Sequence, residues 1–182
     1  LRLPIPKTII APKIFIEGTF PDAFIKEVIR ELGFPLIIKE AFGSFGEQVF
    51  LIQDKTELIA RVGKIGNRPF VFQQFIATSF GVDIRLQVVG EQVVAAMKRK
   101  SSHDFRANVT AGGMMEPYTP ATEEKELAIA ATRGIGADFA GVDLLFGEDG
   151  PLVCEVNSNA HIRNLLDCTG INAADFIMEY VL

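Results

Sequence analysis

Asp143, Glu155 and Asn157 are the residues best suited to chemistry in this chain. Glu155 and Asn157 stand two apart in PLVCEVN, so on a strand both point to one face. If AGVDLLF and PLVCEVN form a hairpin around the three-residue loop Glu148, Asp149 and Gly150, with Gly150 in the left-handed position, Asp143 falls opposite Glu155. Two facing carboxylates repel unless something positive sits between them. Three oxygen donors on one face, left partly open to phosphate and water, suit Mg2+ held together with a nucleotide. The same acids would also be ordinary on the solvent side of a half-exposed hairpin, although Leu144, Leu145, Val153 and Val156 point to a sheet buried on at least one side.

Two further groups could meet phosphate. In KEAFGSFG, Lys39 ends an apolar run and is followed by a glycine loop with Gly43, Ser44, Phe45 and Gly46. Backbone N–H groups and a hydroxyl there can face phosphate oxygens while the ammonium neutralises charge; the spacing is not that of a Walker loop, and a plain β-turn fits the same residues. The second group is Arg85, Lys98, Arg99, Arg106 and Asn108. Arg85 follows Asp83 by two and shares its face, and Lys98 and Arg99 end the next strand, so the cations are expected to converge above one sheet. Converging cations suit a polyphosphate or an acyl phosphate; a solvated basic edge is the alternative. His103 and His161 lack metal-ligand spacing and any nucleophile motif. Cys154, facing away from Glu155, reads as core.

These residues need elements to hold them. PDAFIKEVIRELG predicts an amphipathic helix with Pro21 in its first turn, a stripe of Phe24, Val28 and Leu32, and Gly33 at its exit. PLIIK (35–39), VFLIQ (49–53) and PFVFQQFI (69–76) predict strands, with a helix through Leu58, Val62 and Ile65 before Gly66. VDIRLQVVG and QVVAAMKRK predict a tight hairpin at Gly90 and Glu91. The following polar stretch reads as loop with a short extended piece near Phe105, and then a helix capped by Thr119, with Pro120 first, to about Ile135. A last helix starts at Asn172, with Asp175 three residues on.

Composition narrows the class. With 182 residues, 48% of them hydrophobic and 23% charged, the chain can bury one large core or two small ones and is not disordered. Its apolar runs are far shorter than the roughly 18 residues of a membrane span. A net charge of −5 argues against a sequence-blind grip on nucleic acid. Two cysteines make no disulfide framework, so a reducing, cytoplasmic setting is expected. The opening LRLPIPKT reads as the middle of a longer protein.

The order of the motifs (lysine and glycine loop, QQFI, DIR, VVAAMKR, FRANV with GG, AGVDLL, EVN) resembles ATP-grasp ligases, and most closely the RimK-like carboxylate-amine ligases, over essentially the whole chain. The resemblance implies an α+β fold of two subdomains, a small one over 1–76 with the glycine-loop flap and a C-terminal one over 77–182, with ATP between their sheets. It implies a preceding N-terminal domain absent from this chain. ATP and Mg2+ (or Mn2+) would be the cofactors, and a small-molecule or peptide carboxylate and an amino-acid amine the substrates. Nucleic acid and membrane are not among the expected partners; a second copy of the chain is. Lys39 would contact the phosphates and Gly43–Gly46 would form the flap. Gln73, Gln74, Phe75 and Ile76 would line adenine, with Gln74 where the family usually has Glu. Asp83 would belong to the nucleotide-binding set. Asp143, Glu155 and Asn157 match magnesium ligands, and Arg85, Arg99, Arg106 and Asn108 match positions near the γ-phosphate and the acyl group. Lysine-biosynthesis, D-alanine–D-alanine and glutathione-type ligases are alternatives, as is a nucleotide-binding module without turnover. Where the RimK branch commonly continues after EVN with a turn such as SPG, this chain has SNAHIRN, with His161 and Arg163.

Overall fold

The computed structural model describes residues 2–12, 21–43, 46–107 and 113–182. Two units emerge: Pro6–Phe75, and a second that joins Leu1–Ile5 to Ile76–Leu182. Each has its own sheet and core, which makes the architecture α+β. Residues 2–5 belong with the second unit because the Pro4 carbonyl accepts from the Val153 amide at 2.9 Å.

The first unit is an antiparallel sheet in the order β1-β4-β2-β3, made of Thr8–Ile10 (β1), Leu36–Glu40 (β2), Val49–Ile52 (β3) and Phe70–Gln74 (β4). Helices α1 (Asp22–Leu32) and α2 (Lys55–Ile65) cover one face. Helix α2 starts where the Asp54 carboxylate accepts from the Glu57 amide at 2.9 Å, and the Glu57 carboxylate accepts from the Gln53 amide at 2.8 Å. Its Leu58, Val62 and Ile65 are buried, as their spacing predicts. Helix α1 corrects the expected stripe: Pro21 precedes the helix, and Ile25 and Val28 are the buried pair, with Phe24 and Leu32 at the margin of the core. Strand β4 stops at Gln74, two residues short of the expected end. Since Leu36, Ile38, Phe70 and Phe72 point into the helices, alternation places Ile37, Lys39, Val71 and Gln73 on the other face.

The second unit is a five-stranded antiparallel sheet in the order β7-β6-β5-β8-β9. Strands Val82–Val89 (β5) and Gln92–Lys100 (β6) turn at Gly90 and Glu91, as the loop length predicts. Among the described residues, 101–107 form no strand, and the Phe105 carbonyl accepts from the Gly81 amide at 2.9 Å; a strand not anticipated from the sequence is Met114–Pro117 (β7), on the edge of β6. Helix α3 (Thr122–Gly134) begins two residues later than a cap at Thr119 would dictate. The Glu124 carboxylate accepts from the Ala121 amide at 2.7 Å and from the Tyr118 hydroxyl at 3.1 Å, so an acid inside the first turn does the capping that the sequence assigns to Thr119. Helix α3 packs on one face through Leu127, Ala128 and Ala131 against Ile84, Leu86, Val88, Val142, Leu144 and Val153. Each such fully buried large side chain stabilises the fold by roughly 1.5–3 kcal/mol. Lys98 pairs with Ile84 in register and places its ammonium 5.2 Å from the Phe146 ring centroid, so it faces α3 and does not converge with Arg85 and Arg99.

Strands Phe139–Gly147 (β8) and Gly150–Asn157 (β9) form the second hairpin, with a turn that differs from the expected one. Glu148 and Asp149 alone make the loop, Gly147 pairs with Gly150, and Gly150 takes φ +135° within the strand. Helix α4 (Arg163–Thr169) has no counterpart in the sequence reading: at seven residues it is too short to show a helical period. Helix α5 (Ala173–Val181) begins at Asn172, whose side-chain oxygen accepts from the Ala174 amide at 3.3 Å while its amide group donates to Asp175 at 2.8 Å. Among the described residues no helix is long and apolar enough to cross a membrane.

Candidate functional site

The face of the five-stranded sheet opposite α3 carries the polar residues. On β5, Asp83, Arg85 and Gln87 alternate with the buried Ile84, Leu86 and Val88 and therefore share this face. One rung across the sheet reads Met97, Arg85, Asp143, Glu155; the next reads Ala95, Gln87, Gly141, Asn157. Asp143, Glu155 and Asn157 thus stand on one face of neighbouring strands. The pairing of Asp143 with Glu155 arises differently from the three-residue loop of the sequence reading. A two-residue turn would set Asp143 against Cys154, but the register shifts between Asp143 and Leu144: Leu144 pairs with Val153 and Asp143 with Glu155. Cys154 is the additional residue of this bulge, not an ordinary core position, and the bulge turns Glu155 back to the polar face.

Charge on this face is ordered by two guanidiniums. Arg85 donates Nε and Nη2 to the two Asp143 oxygens, both at 2.7 Å. Arg99 donates Nε and Nη2 to the two Asp83 oxygens, both at 2.6 Å, and reaches across β5 to Asp143 Oδ2 at 2.8 Å. All four side chains are largely buried, so these are charge-assisted bonds in a poorly screened setting. Burial pushes the Asp143 carboxyl up, yet the guanidiniums of Arg99 and Arg85 outweigh it and hold the group below the usual carboxylate range. Asp83 has only Arg99 as a direct partner among the described residues, and burial prevails, raising it to about 6. Burial also acts against the Arg99 cation, but Asp143 and Asp83 together keep it firmly protonated.

The donor chemistry fits a divalent cation. Asp143, Glu155 and Asn157 offer hard oxygens, and Glu155 is exposed with no ion-pair partner among the described residues. Among those residues no three Asp, Glu, His or Cys side chains form a metal cluster by themselves, so the set consists of two carboxylates and one amide.

In the first unit, Lys39 and Gln73 occupy the sheet face turned away from α1 and α2. The Gln73 amide group donates to Thr8 Oγ1 at 2.9 Å. The Gln74 amide donates to the Lys7 carbonyl at 2.8 Å, and the Ile76 carbonyl accepts from Ser79 at 3.0 Å. Of the four residues that the resemblance assigns to adenine, Gln73 and Gln74 lie inside the β-ladder, and Phe75 and Ile76 beyond it. After Glu40 the chain leaves the sheet through the exposed Phe42 and Gly43, and Gly46 has φ +72°; Ser44 and Phe45 lie outside the described residues, as does Asn108. Arg106 is held bidentately by Asp104, at 2.9 and 2.6 Å.

Three contributors escape the sequence reading. Gln87, buried beside Arg85, is reachable by counting one more alternation along β5. Asp104 as the partner of Arg106 is signalled by its place two residues earlier. Gly141 is not: a Cβ there would lie 2.5 Å from the Ala160 Cβ, because the segment after β9 returns across β8 beside Gln87 and Arg85.

A mixed α+β chain with two antiparallel sheets and these motifs defines an ATP-grasp fold. A D-alanine–D-alanine ligase from Bacillus anthracis, solved with ATP, superposes with a TM-score of 0.72 over 98% of this chain and 60% of its own at 20% identity. A RimK-domain ATP-grasp protein from Sphaerobacter thermophilus gives 0.71 over 99% and 62% at 25% identity. The chain belongs to the RimK-like ATP-grasp domain family, matching it over residues 5–181. It is 40% identical over 154 residues to a probable alpha-L-glutamate ligase of Shewanella, covering 82% of this chain and 50% of that protein. It is 38% identical over 152 residues to one of Legionella pneumophila, with the same coverage. The chain spans about half the length of the curated relatives it matches.

Proposed function

We propose that the protein is an ADP-forming carboxylate–amine ligase, with glutamate as the amine donor. A substrate carboxylate oxygen attacks the γ-phosphorus of ATP and ADP leaves. The amino-acid nitrogen then attacks the acyl carbon, inorganic phosphate departs with the C–O bond, and the ammonium proton passes to solvent. The single observation that carries this reading is the Asp143–Glu155 cross-strand pair on a face shared with Arg85 and Arg99. Asp143, Glu155 and Asn157 would hold Mg2+ (Mn2+ has the same donor preference), which when bound supplies charge neutralisation for the β- and γ-phosphates. Arg85 and Arg99 place two fixed positive charges where negative charge develops in phosphoryl transfer. Lys39 would meet the phosphates, Gly43–Gly46 would cover them and exclude water, and Phe75 and Ile76 would meet adenine; Arg106 and Asn108 would face the acyl group. The choice of glutamate rests on the names of the curated relatives.

The test is ADP formation by the whole protein across a panel of carboxylic acids and amino acids, beside an Asp143→Asn, Glu155→Gln double variant. Acid- and glutamate-dependent ADP release that is lost in the double variant is expected. Equal release by both proteins would remove the metal assignment, and release that no amino acid stimulates would remove ligation.

A further inference from the structure

We infer that Gln87 is a binding residue for the incoming amine: its side-chain oxygen receives an N–H of the amino acid and directs the nitrogen toward the acyl carbon. The inference rests on the ligase reading above. Gln87 is 2% exposed and lies on the polar face of β5, one alternation beyond Arg85. A buried carboxamide ordinarily has partners for its oxygen as well as its nitrogen. Here the side chain makes one hydrogen bond among the described residues, from Nε2 to the Val88 carbonyl at 3.4 Å, and Oε1 accepts none. Among those residues no fully enclosed side-chain nitrogen or oxygen is without a partner, so Oε1 lies at an opening and is not sealed into the core. The reverse orientation of the amide would set its oxygen against the Val88 oxygen, acceptor against acceptor.

The surroundings select the ligand. Oε1 lies 3.6 Å from the point that a Cβ on Gly141 would occupy, and the Arg85 Cδ lies 3.8 Å from the same point. Gly141 separates Gln87 from Asn157 on their rung, so Oε1 is turned along that rung toward β9, next to the rung of Asp143 and Glu155. On the other side β6 bulges at Val94, a device that re-aims side chains beside active sites, and Ala95 belongs to an apolar cluster. The charged acceptors of this face are already engaged: Asp83 receives Arg99, Asp143 receives Arg85 and Arg99, and Glu155 belongs with Asn157 to the proposed metal set. The guanidiniums offer only donors. A phosphate or carboxylate oxygen therefore finds partners here without Gln87, whereas an N–H does not, and the reactant that brings an N–H to the acyl carbon is the amine. A neutral acceptor also suits its chemistry. A carboxylate in this place would favour the ammonium, which has no lone pair for attack; Gln87 accepts the N–H and takes no proton, so the proton still leaves to solvent.

The test is steady-state ADP release by the whole protein and by Gln87→Met, which keeps the volume and removes the acceptor. ATP, the carboxylic acid and the amino acid are varied in turn, using the acid and amino acid that give the largest release with the parent. For Gln87→Met we expect kcat/KM for the amino acid to fall about ten-fold, the effect of leaving one ligand N–H unpaired, with any fall in kcat/KM for ATP or for the acid at least about five-fold smaller. Capture of the acyl phosphate by concentrated hydroxylamine, which needs no amino-acid site, reports activation alone and should fall less than transfer to the amino acid does. If Gln87→Met does not fold, Gln87→Asn, which keeps an amide but draws its oxygen back by one methylene, should show the same selective loss. A loss shared equally by ATP, acid and amine, a loss confined to the acid, or an unchanged kcat/KM for the amine would each overturn the inference while the ligase reading stands. Release by the parent that no amino acid stimulates would remove the ligase reading and the inference with it.

Discussion

Replacing Asp143 by leucine would leave two buried guanidiniums without one of their anions. Arg99 would keep Asp83, but Arg85, whose side chain is 15% exposed, would lose both of its 2.7 Å bonds. Stranding a buried charge costs about 3–5 kcal/mol. The converse change, Arg85→Met, is milder, since Asp143 retains the 2.8 Å bond from Arg99; a loss of about 2 kcal/mol is expected, the range of a hydrogen bond to a charged group. In the double variant the introduced leucine and methionine would be apolar neighbours beside an intact Asp83–Arg99 pair, a neutral arrangement that often costs little. It should therefore be more stable than Asp143→Leu alone, with a coupling of about 3 kcal/mol or more. Urea unfolding followed by far-UV circular dichroism measures this, as the chain has no tryptophan to report by fluorescence. Additivity of the two single changes to within about 0.5 kcal/mol would refute the network.

Gly141→Ala should destabilise by about 1–3 kcal/mol through overpacking against Ala160, and Gly141→Ala with Ala160→Gly should recover most of it, read by the same unfolding assay. Asp54→Ala removes the acceptor for the Glu57 amide and should cost about 1 kcal/mol, with helix α2 amides losing hydrogen-exchange protection first. Because burial raises the Asp83 carboxyl to about 6, the folded state favours its protonated form; that stabilisation is complete below the unfolded value of 3.8 and is lost as pH rises to about 6. Across that window the unfolding free energy of the parent should fall relative to Asp83→Asn, and a pH-independent difference would contradict the shift.

Alternation and turn length make much of the fold legible. The Gly90-Glu91 hairpin, the α2 stripe and the shared face of Asp83 and Arg85 follow from local rules alone. What stays hidden depends on contacts distant in sequence. The capping of α3 is a local exception: Glu124 lies three residues from Ala121 and six from Tyr118, but the Thr119-Pro120 pair gives the competing start signal. Lys98 and Arg99 are adjacent cations that a strand must separate, and only the pairing of Lys98 with Ile84 reveals which of them joins Arg85. The Asp143–Glu155 pairing follows, in the sequence, from a loop one residue too long; the missing residue reappears as Cys154 within the strand.

That displacement has a consequence for comparing relatives of this protein. A hairpin with a longer turn and a regular ladder would bring the same two carboxylates together as one with a shorter turn and a bulge. Moving one residue from the bulge at Cys154 to the turn beside Asp149 reads in an alignment as an insertion and a deletion, and both arrangements set Glu155 opposite Asp143. Homologous chains could differ by such paired gaps and keep their acids in place, so an alignment here is better anchored on ladder partners than on the turn.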